Sequence, residues 1–93
     1  MGRVILNFRK VERVVRGFSS HRRIQIMELL KHKPELSVVE IAGELKINFR
    51  TAAEHINKLA IAGVVIKRHD GPAVRHKLTN MGNYILVFCR TLE

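Results

Sequence analysis

Four cations, Lys67, Arg68, Arg75 and Lys77, flank the turn-forming run His69-Asp70-Gly71-Pro72-Ala73 in this 93-residue chain. A second group, Asn48, Phe49, Arg50, Thr51 and Asn57, gathers near the start of one amphipathic segment. Lysine and arginine neutralise phosphates and release condensed counterions, while asparagine, arginine and threonine can hydrogen-bond to base edges. The chemistry open to these residues is non-covalent recognition of a polyanion. No nucleophile–base constellation accompanies them. Ser19, Ser20 and Ser37 are all accounted for as turn or cap residues, so the chain reads as a binding protein rather than an enzyme.

Five histidines invite a metal hypothesis. His69 and His76 could meet across the turn, but two ligands make no site without a third, and His21, His32 and His55 fall on different elements. The single cysteine, Cys89, excludes an internal disulfide and any C-x-x-C zinc motif. It reads either as an inert buried thiol or as a redox-sensitive group. No metal and no cofactor is expected.

The net charge is +9, and it is unevenly placed. Residues 1–23 hold seven Lys/Arg and one Glu, residues 64–78 hold four Lys/Arg and one Asp, and residues 24–47 are mildly acidic. Such basicity favours nucleic acid ahead of a membrane surface as partner. Hydrophobic residues make up 46% of the chain, enough to exclude disorder, and the length suits one domain. No apolar run is long enough to span a membrane and no secretion signal is visible, so a cytoplasmic setting is expected.

These groups need elements to position them. Val4, Phe8, Val11, Val15 and Phe18 step by four and three, which predicts a first helix within residues 1–18, with Arg9, Lys10, Arg13 and Arg16 on its polar side. Ser20 is the expected N-cap of a second helix ending at His32-Lys33-Pro34. Ser37-Val38-Val39-Glu40 is a capping box opening a short third helix, and Asn48 caps a fourth, whose inner stripe is Ala52, Ile56 and Leu59. Two short helices joined by a tight turn predict a helix-turn-helix. Val64–Arg68 and Val74–Leu78 read as two strands of a basic hairpin, provided His76 points inward. Thr79 caps a last helix with the stripe Met81, Tyr84, Ile85, Phe88 and Leu92. Glu54 and Lys58 have the spacing of a favourable helix pair. The fold expected is mainly α with a small β-hairpin: a winged helix-turn-helix of five helices and a two-stranded wing.

The residues resemble a known family. Ser20–Leu30 looks like the "D-P-T-R-L-R-I-L-E-L-L" helix of ArsR-type (arsenical-resistance repressor) winged-helix regulators. Ser37-Val38-Val39-Glu40-Ile41-Ala42 resembles their "S-V-x-E-L-A". Asn48–Val65 resembles "S-x-S-x-V-S-x-H-L-x-x-L-x-x-A-G-L-V", with His55 on that histidine, and Arg75–Thr79 resembles the end of their second wing strand. The resemblance covers residues 20–80. It implies a homodimeric regulator of transcription that binds duplex DNA, acting as a repressor by blocking promoter access, with its first and last helices at the dimer interface. On that reading residues 1–93 form one winged-helix domain: a dimerisation helix in 1–18, a core in 20–78 and a second dimerisation helix in 79–93. Val4, Phe8, Val11, Val15, Tyr84 and Phe88 are the expected interface residues. Asn48, Phe49, Arg50, Thr51, Asn57, Lys67, Arg68, Arg75 and Lys77 are the expected DNA contacts.

The departures from the family are specific. Residues 37–46 contain no Cys or His, and residues 79–92 contain no Asp, Glu or His, so the family's known metal sites are absent. At the readout end Phe49, Arg50 and Ala53 stand where the family has small polar residues, and Glu54 adds a carboxylate. Phe49 can pack on a thymine methyl or a sugar, or fold back over the core. This face motivates the alternative of a winged-helix module that docks a protein or RNA.

Overall fold

The computed structural model describes residues 5–93; Val4, assigned above to the first apolar stripe, lies outside them. The elements run α1 (Phe8–Phe18), α2 (His21–His32), α3 (Val38–Leu45), α4 (Phe49–Ile61), β1 (Val65–Asp70), β2 (Ala73–Leu78) and α5 (Asn80–Arg90). This is the five-helix, two-strand architecture expected. Among the described residues no helix is long and apolar enough to cross a membrane.

Helix starts follow from side chains that satisfy otherwise orphaned backbone N–H groups. The hydroxyl of Ser20 accepts from Arg23 N, and Thr79 accepts from Gly82 N. Ser37 accepts from Glu40 N at 3.2 Å while the Glu40 carboxylate accepts from Ser37 N at 2.8 Å, so the capping box is complete. That exchange holds the Glu40 carboxyl below its usual pKa. The first helix differs from expectation. It begins only at Phe8, because the side chain of Asn7 accepts from Lys10 N at 3.1 Å and fixes the start there.

The core is shared between the helix-turn-helix and the base of the wing. Ile26, Met27 and Leu30 of α2 pack with Ile41 and Ala42 of α3, with Ala52, Ile56 and Leu59 of α4, and with Val64, Val65, Leu78 and Leu86. The apolar stripe read from α5 divides. Met81 and Ile85 pack half-buried against the core, whereas Tyr84 (75% exposed), Phe88 (57%) and Leu92 point outward, and the buried positions are Gly82 and Leu86, outside that stripe. The reason is close packing: a Cβ on Gly82 would lie 2.5 Å from the carbonyl oxygen of Val64, so this helix docks by its glycine face. One turn beyond Leu86 on α5, Arg90 Nη2 donates to Glu28 Oε1 at 2.7 Å.

Helix α1 has no buried residue and is held by its C-terminal end. A Cβ on Gly17 would overlap the Cβ of Ala62, so the two backbones meet closely. Arg23 completes the junction. Its Nη1 donates to the carbonyls of Arg16 and Gly17, and its Nε donates to Nδ1 of His55 at 3.1 Å. Thus α1, α2 and α4 share one guanidinium.

The hairpin is longer than expected. β1 extends to Asp70 and pairs antiparallel with β2 in the register Val65↔Leu78 to Asp70↔Ala73. The turn is only Gly71-Pro72, with φ +61° at Gly71, a two-residue loop suited to the strand twist. Lys67 is therefore opposite His76, and His69 opposite Val74, so the two histidines do not meet. A further edge comes from Leu36, which bridges His76 outside the named strands.

His76 is 1% exposed. Its Nδ1 donates to the carbonyl of Leu36 at 2.8 Å, which leaves a bare Nε2 without a partner. Burial lowers its pKa, opposed by that hydrogen bond and assisted by Lys67. Burial also lowers the pKa of His55, assisted by the neighbouring cations Arg23 and Lys58. Both shifts favour the neutral ring, as does the donation from Arg23 Nε to His55 Nδ1.

These contacts set the response to mutation and to pH. Gly17→Ala must push α1 away from Ala62, and urea unfolding should show a loss of about 1–3 kcal/mol; an unchanged midpoint would refute the close approach. Both histidines titrate lower in the fold than the unfolded value of about 6.5. Stability should therefore be full above that pH and fall as pH drops below it, since the unfolded chain takes up protons first. Urea midpoints at pH 7.5 and 5.5 measure this. His76→Leu should flatten the dependence without stranding the Leu36 carbonyl, which also accepts from the His76 backbone N–H.

Candidate nucleic-acid interface

The second helix of the helix-turn-helix presents the first group of residues. Asn48 Oδ1 accepts from Arg50 N at 2.7 Å and from Thr51 N at 3.4 Å, so this side chain is the cap and only its amide N–H groups remain available. The cap turns Phe49, Arg50 and Thr51 outward at the start of α4. Phe49 is 54% exposed and does not fold back over the core. Further along, Asn57 is exposed but already accepts from Lys67 Nζ. That contact links α4 to the wing and brings one residue of each group together. Glu54 and Lys58 form no ion pair within 4 Å among the described residues, contrary to the spacing argument, and both side chains are exposed to water.

Within the wing, two of the four cations are already paired. Arg68 and Arg75 are direct cross-strand partners, yet each has a carboxylate. Arg68 Nε donates to Glu35 Oε1 at 2.9 Å, with Nη2 of the same guanidinium on the same oxygen. Arg75 Nε donates to Asp70 Oδ2 at 3.0 Å, and its Nη1 reaches the carbonyl of Glu35 at 3.3 Å. These pairs are exposed, so each is worth at most about 1 kcal/mol and can exchange for an outside anion. Lys77 lies on the same face as Arg68 and Arg75 and is exposed.

Glu35 is the residue that sequence reasoning missed. Its φ of +71° is a left-handed conformation unusual for a side chain of this type. Its backbone N–H donates to the carbonyl of His76 at 2.8 Å, which fastens the segment before α3 to β2. The signal available in sequence was weak: Pro34 marks a chain turn, but nothing local places residue 35 beside residues 68 and 75.

The expected interface residues on the terminal helices also collect in one place. Val11 and Val15 of α1 face Tyr84 and Phe88 of α5 across an almost wholly apolar groove of about 440 Å³. Phe8, 73% exposed, stands at the start of α1. Cys89 is partly exposed on α5.

Comparison with known proteins places this geometry. A family model described as winged helix-turn-helix DNA-binding matches residues 20–66. The HTH-type transcriptional regulator MJ1325 of Methanocaldococcus jannaschii, itself uncharacterised, is 31% identical over 64 residues, covering 69% of this chain and 72% of that protein. Among solved structures, the homodimeric winged helix-turn-helix DNA-binding domain Mb0332 of Mycobacterium bovis, a possible ArsR-family regulator, superposes with a TM-score of 0.81 at 24% identity, covering 91% of this chain and 79% of that one. HlyU of Vibrio cholerae gives 0.79 at 23% identity, over 96% and 97% of the two chains. PagR of Bacillus anthracis, a transcriptional repressor, gives 0.76 at 17% identity, over 92% and 95%. The three structures share the fold, and the family match extends over half of the sequence. The chain belongs to the winged helix-turn-helix DNA-binding family.

Proposed function

We propose that the protein is a homodimeric, sequence-specific regulator of transcription that binds duplex DNA and represses by occupying promoter sites, in the manner of ArsR-like proteins and without a metal signal. The observation that carries this reading is the start of α4. Arg50 and Thr51 project there from a firm Asn48 cap, and the wing adjoins the same helix through Lys67 and Asn57. In helix-turn-helix proteins the N-terminal end of this helix meets base edges in the major groove. Arg50, Thr51 and the amide of Asn48 are assigned to base edges, and Phe49 to apolar contact with a thymine methyl. Lys77 is assigned to phosphate, while Lys67, Arg68, Arg75 and Asn57 must first release partners within the protein.

The dimer is proposed on the groove between α1 and α5. Phe8, Val11, Val15, Tyr84 and Phe88 are all exposed in one chain, a set of large apolar groups that a second copy would cover. Two-fold symmetry would then match an inverted-repeat operator. Mb0332, a homodimer with the same fold, supports a dimeric state. Residues 20–78 serve as the DNA-reading core and the two terminal helices as the dimerisation elements. The proposed role is binding rather than catalysis, and a cytoplasmic location accords with it.

A second reading, a winged-helix module docking a protein or RNA, is favoured by one observation: Phe49 is half exposed on the same helix as an exposed Glu54. Selection from a random duplex pool separates the two. Enrichment of an inverted repeat supports the operator reading, and failure to enrich any sequence sinks it.

Two outcomes are expected of variants. Arg50→Ala should relax specificity at one base position, costing about 1–3 kcal/mol there, measured by competition between matched duplexes. Phe88→Glu should shift the protein to monomer in sedimentation equilibrium and abolish cooperative occupation of the two half-sites. A variant that remains dimeric would place the interface elsewhere.

A further inference from the structure

Of the two basic regions in the sequence, the wing is partly neutralised from within the protein. Five of the eight carboxylates are in ion pairs: Glu35 with Arg68, Asp70 with Arg75, Glu28 with Arg90 and His32, Glu44 with Lys33, and Glu12 with Arg16. Other cations gather elsewhere, Arg16 with its Glu12 partner among them. Arg13, Arg16, Arg23 and Lys58 line a groove between α1 and the C-terminal half of α4, and no acidic side chain lines it. A second groove, lined by Arg9, Arg13, Arg16 and the single carboxylate Glu12 that pairs with Arg16, continues along α1. Arg9, Arg13 and Lys58 are exposed and have no side-chain partner among the described residues.

This groove is continuous with the reading side of α4. Arg50, Glu54, Asn57 and Ile61 recur at helical spacing on one exposed side of that helix, with Glu54 its one carboxylate, and Ile61 lines the groove. From Arg50 to Ile61 is about 16 Å along the axis, and from Arg16 back to Arg9 is about 10 Å more. The groove is also rigid with respect to α4. Gly17 abuts Ala62, and Arg23 ties the end of α1 to His55. The helix backbones that carry these cations therefore need no rearrangement when an anion arrives; only the side chains themselves must order.

We propose that the basic face of α1, with Lys58 of α4, is a second phosphate-binding surface that extends the duplex footprint beyond the helix-turn-helix and wing. The inference rests on the DNA-binding reading above and adds Arg9, Arg13 and Lys58 as groups that touch the DNA backbone. They position the duplex and carry no sequence information.

The test is a titration of random-sequence duplex DNA at several salt concentrations. It compares wild type, R9Q/R13Q/K58Q, and K31Q/K33Q/R90Q as a reference that removes equal charge from cations already serving Asn83, Glu44 and Glu28. Thermal melts confirm that each variant is folded. The log–log salt slope should become shallower by about 0.9 for each phosphate no longer neutralised, hence by up to about 2.7 per protomer in the first variant, and should hold in the reference. Equal changes in both triples would mean bulk charge alone and would overturn the proposal. So would an unchanged slope in R9Q/R13Q/K58Q while wild type binds. If wild type fails to bind duplex DNA at low salt, the underlying reading falls and this one with it. Loss of binding to phosphatidylserine vesicles, with DNA binding intact, would assign the surface to a membrane and likewise overturn it. Protection of Lys58 from acetylation in the DNA complex, while Lys31 stays reactive, is the expected direct footprint.

Discussion

The pairing of Leu36 with a buried His76 is the constraint on which the geometry of the candidate interface depends. The Leu36 carbonyl accepts from both the ring and the backbone N–H of His76, and the backbone N–H of Glu35 donates in return to the carbonyl of His76. The hairpin is thereby registered against the residue that precedes the capping box of α3. Without this junction the wing would be a two-stranded ribbon, which is marginal in water by itself. With it, Glu35 is carried to the outer face, where its carboxylate meets Arg68. A charged imidazole could not occupy this position cheaply, since Nε2 faces no acceptor.

Local chemistry accounts for what the sequence made readable. Ser20, Ser37, Asn48 and Thr79 each bond within three residues of themselves, and all four caps form. The stripe Ala52, Ile56 and Leu59 is wholly buried because helical periodicity alone decides which side faces inward. The resemblance to ArsR-type sequences named the fold correctly for the same reason: its motifs are caps and stripes.

What was not readable is the set of bonds between distant residues. Arg68 and Glu35 are 33 positions apart and Arg23 and His55 are 32 apart, so neither pair leaves a local mark. Nothing beside the four wing cations in sequence announces Glu35, which belongs to a different stretch of chain. On α5 an excess of apolar residues hid the docking face, which is set by Gly82 rather than by the aromatics. Glu54 and Lys58 have ideal spacing and still do not pair. Both are free in water, where such an attraction is worth only a few tenths of a kcal/mol.

The close approach of Gly17 to Ala62 has a consequence for assembly. It makes α1 and α4 parts of one rigid body rather than a helix and its appendage. In a dimer joined through α1 and α5, the separation of the two reading helices would then be a fixed length, not an adjustable one. Such a molecule behaves as a caliper: it accepts half-sites at one helical phase and rejects the same half-sites moved by a few base pairs, because no hinge between assembly and readout can absorb the difference.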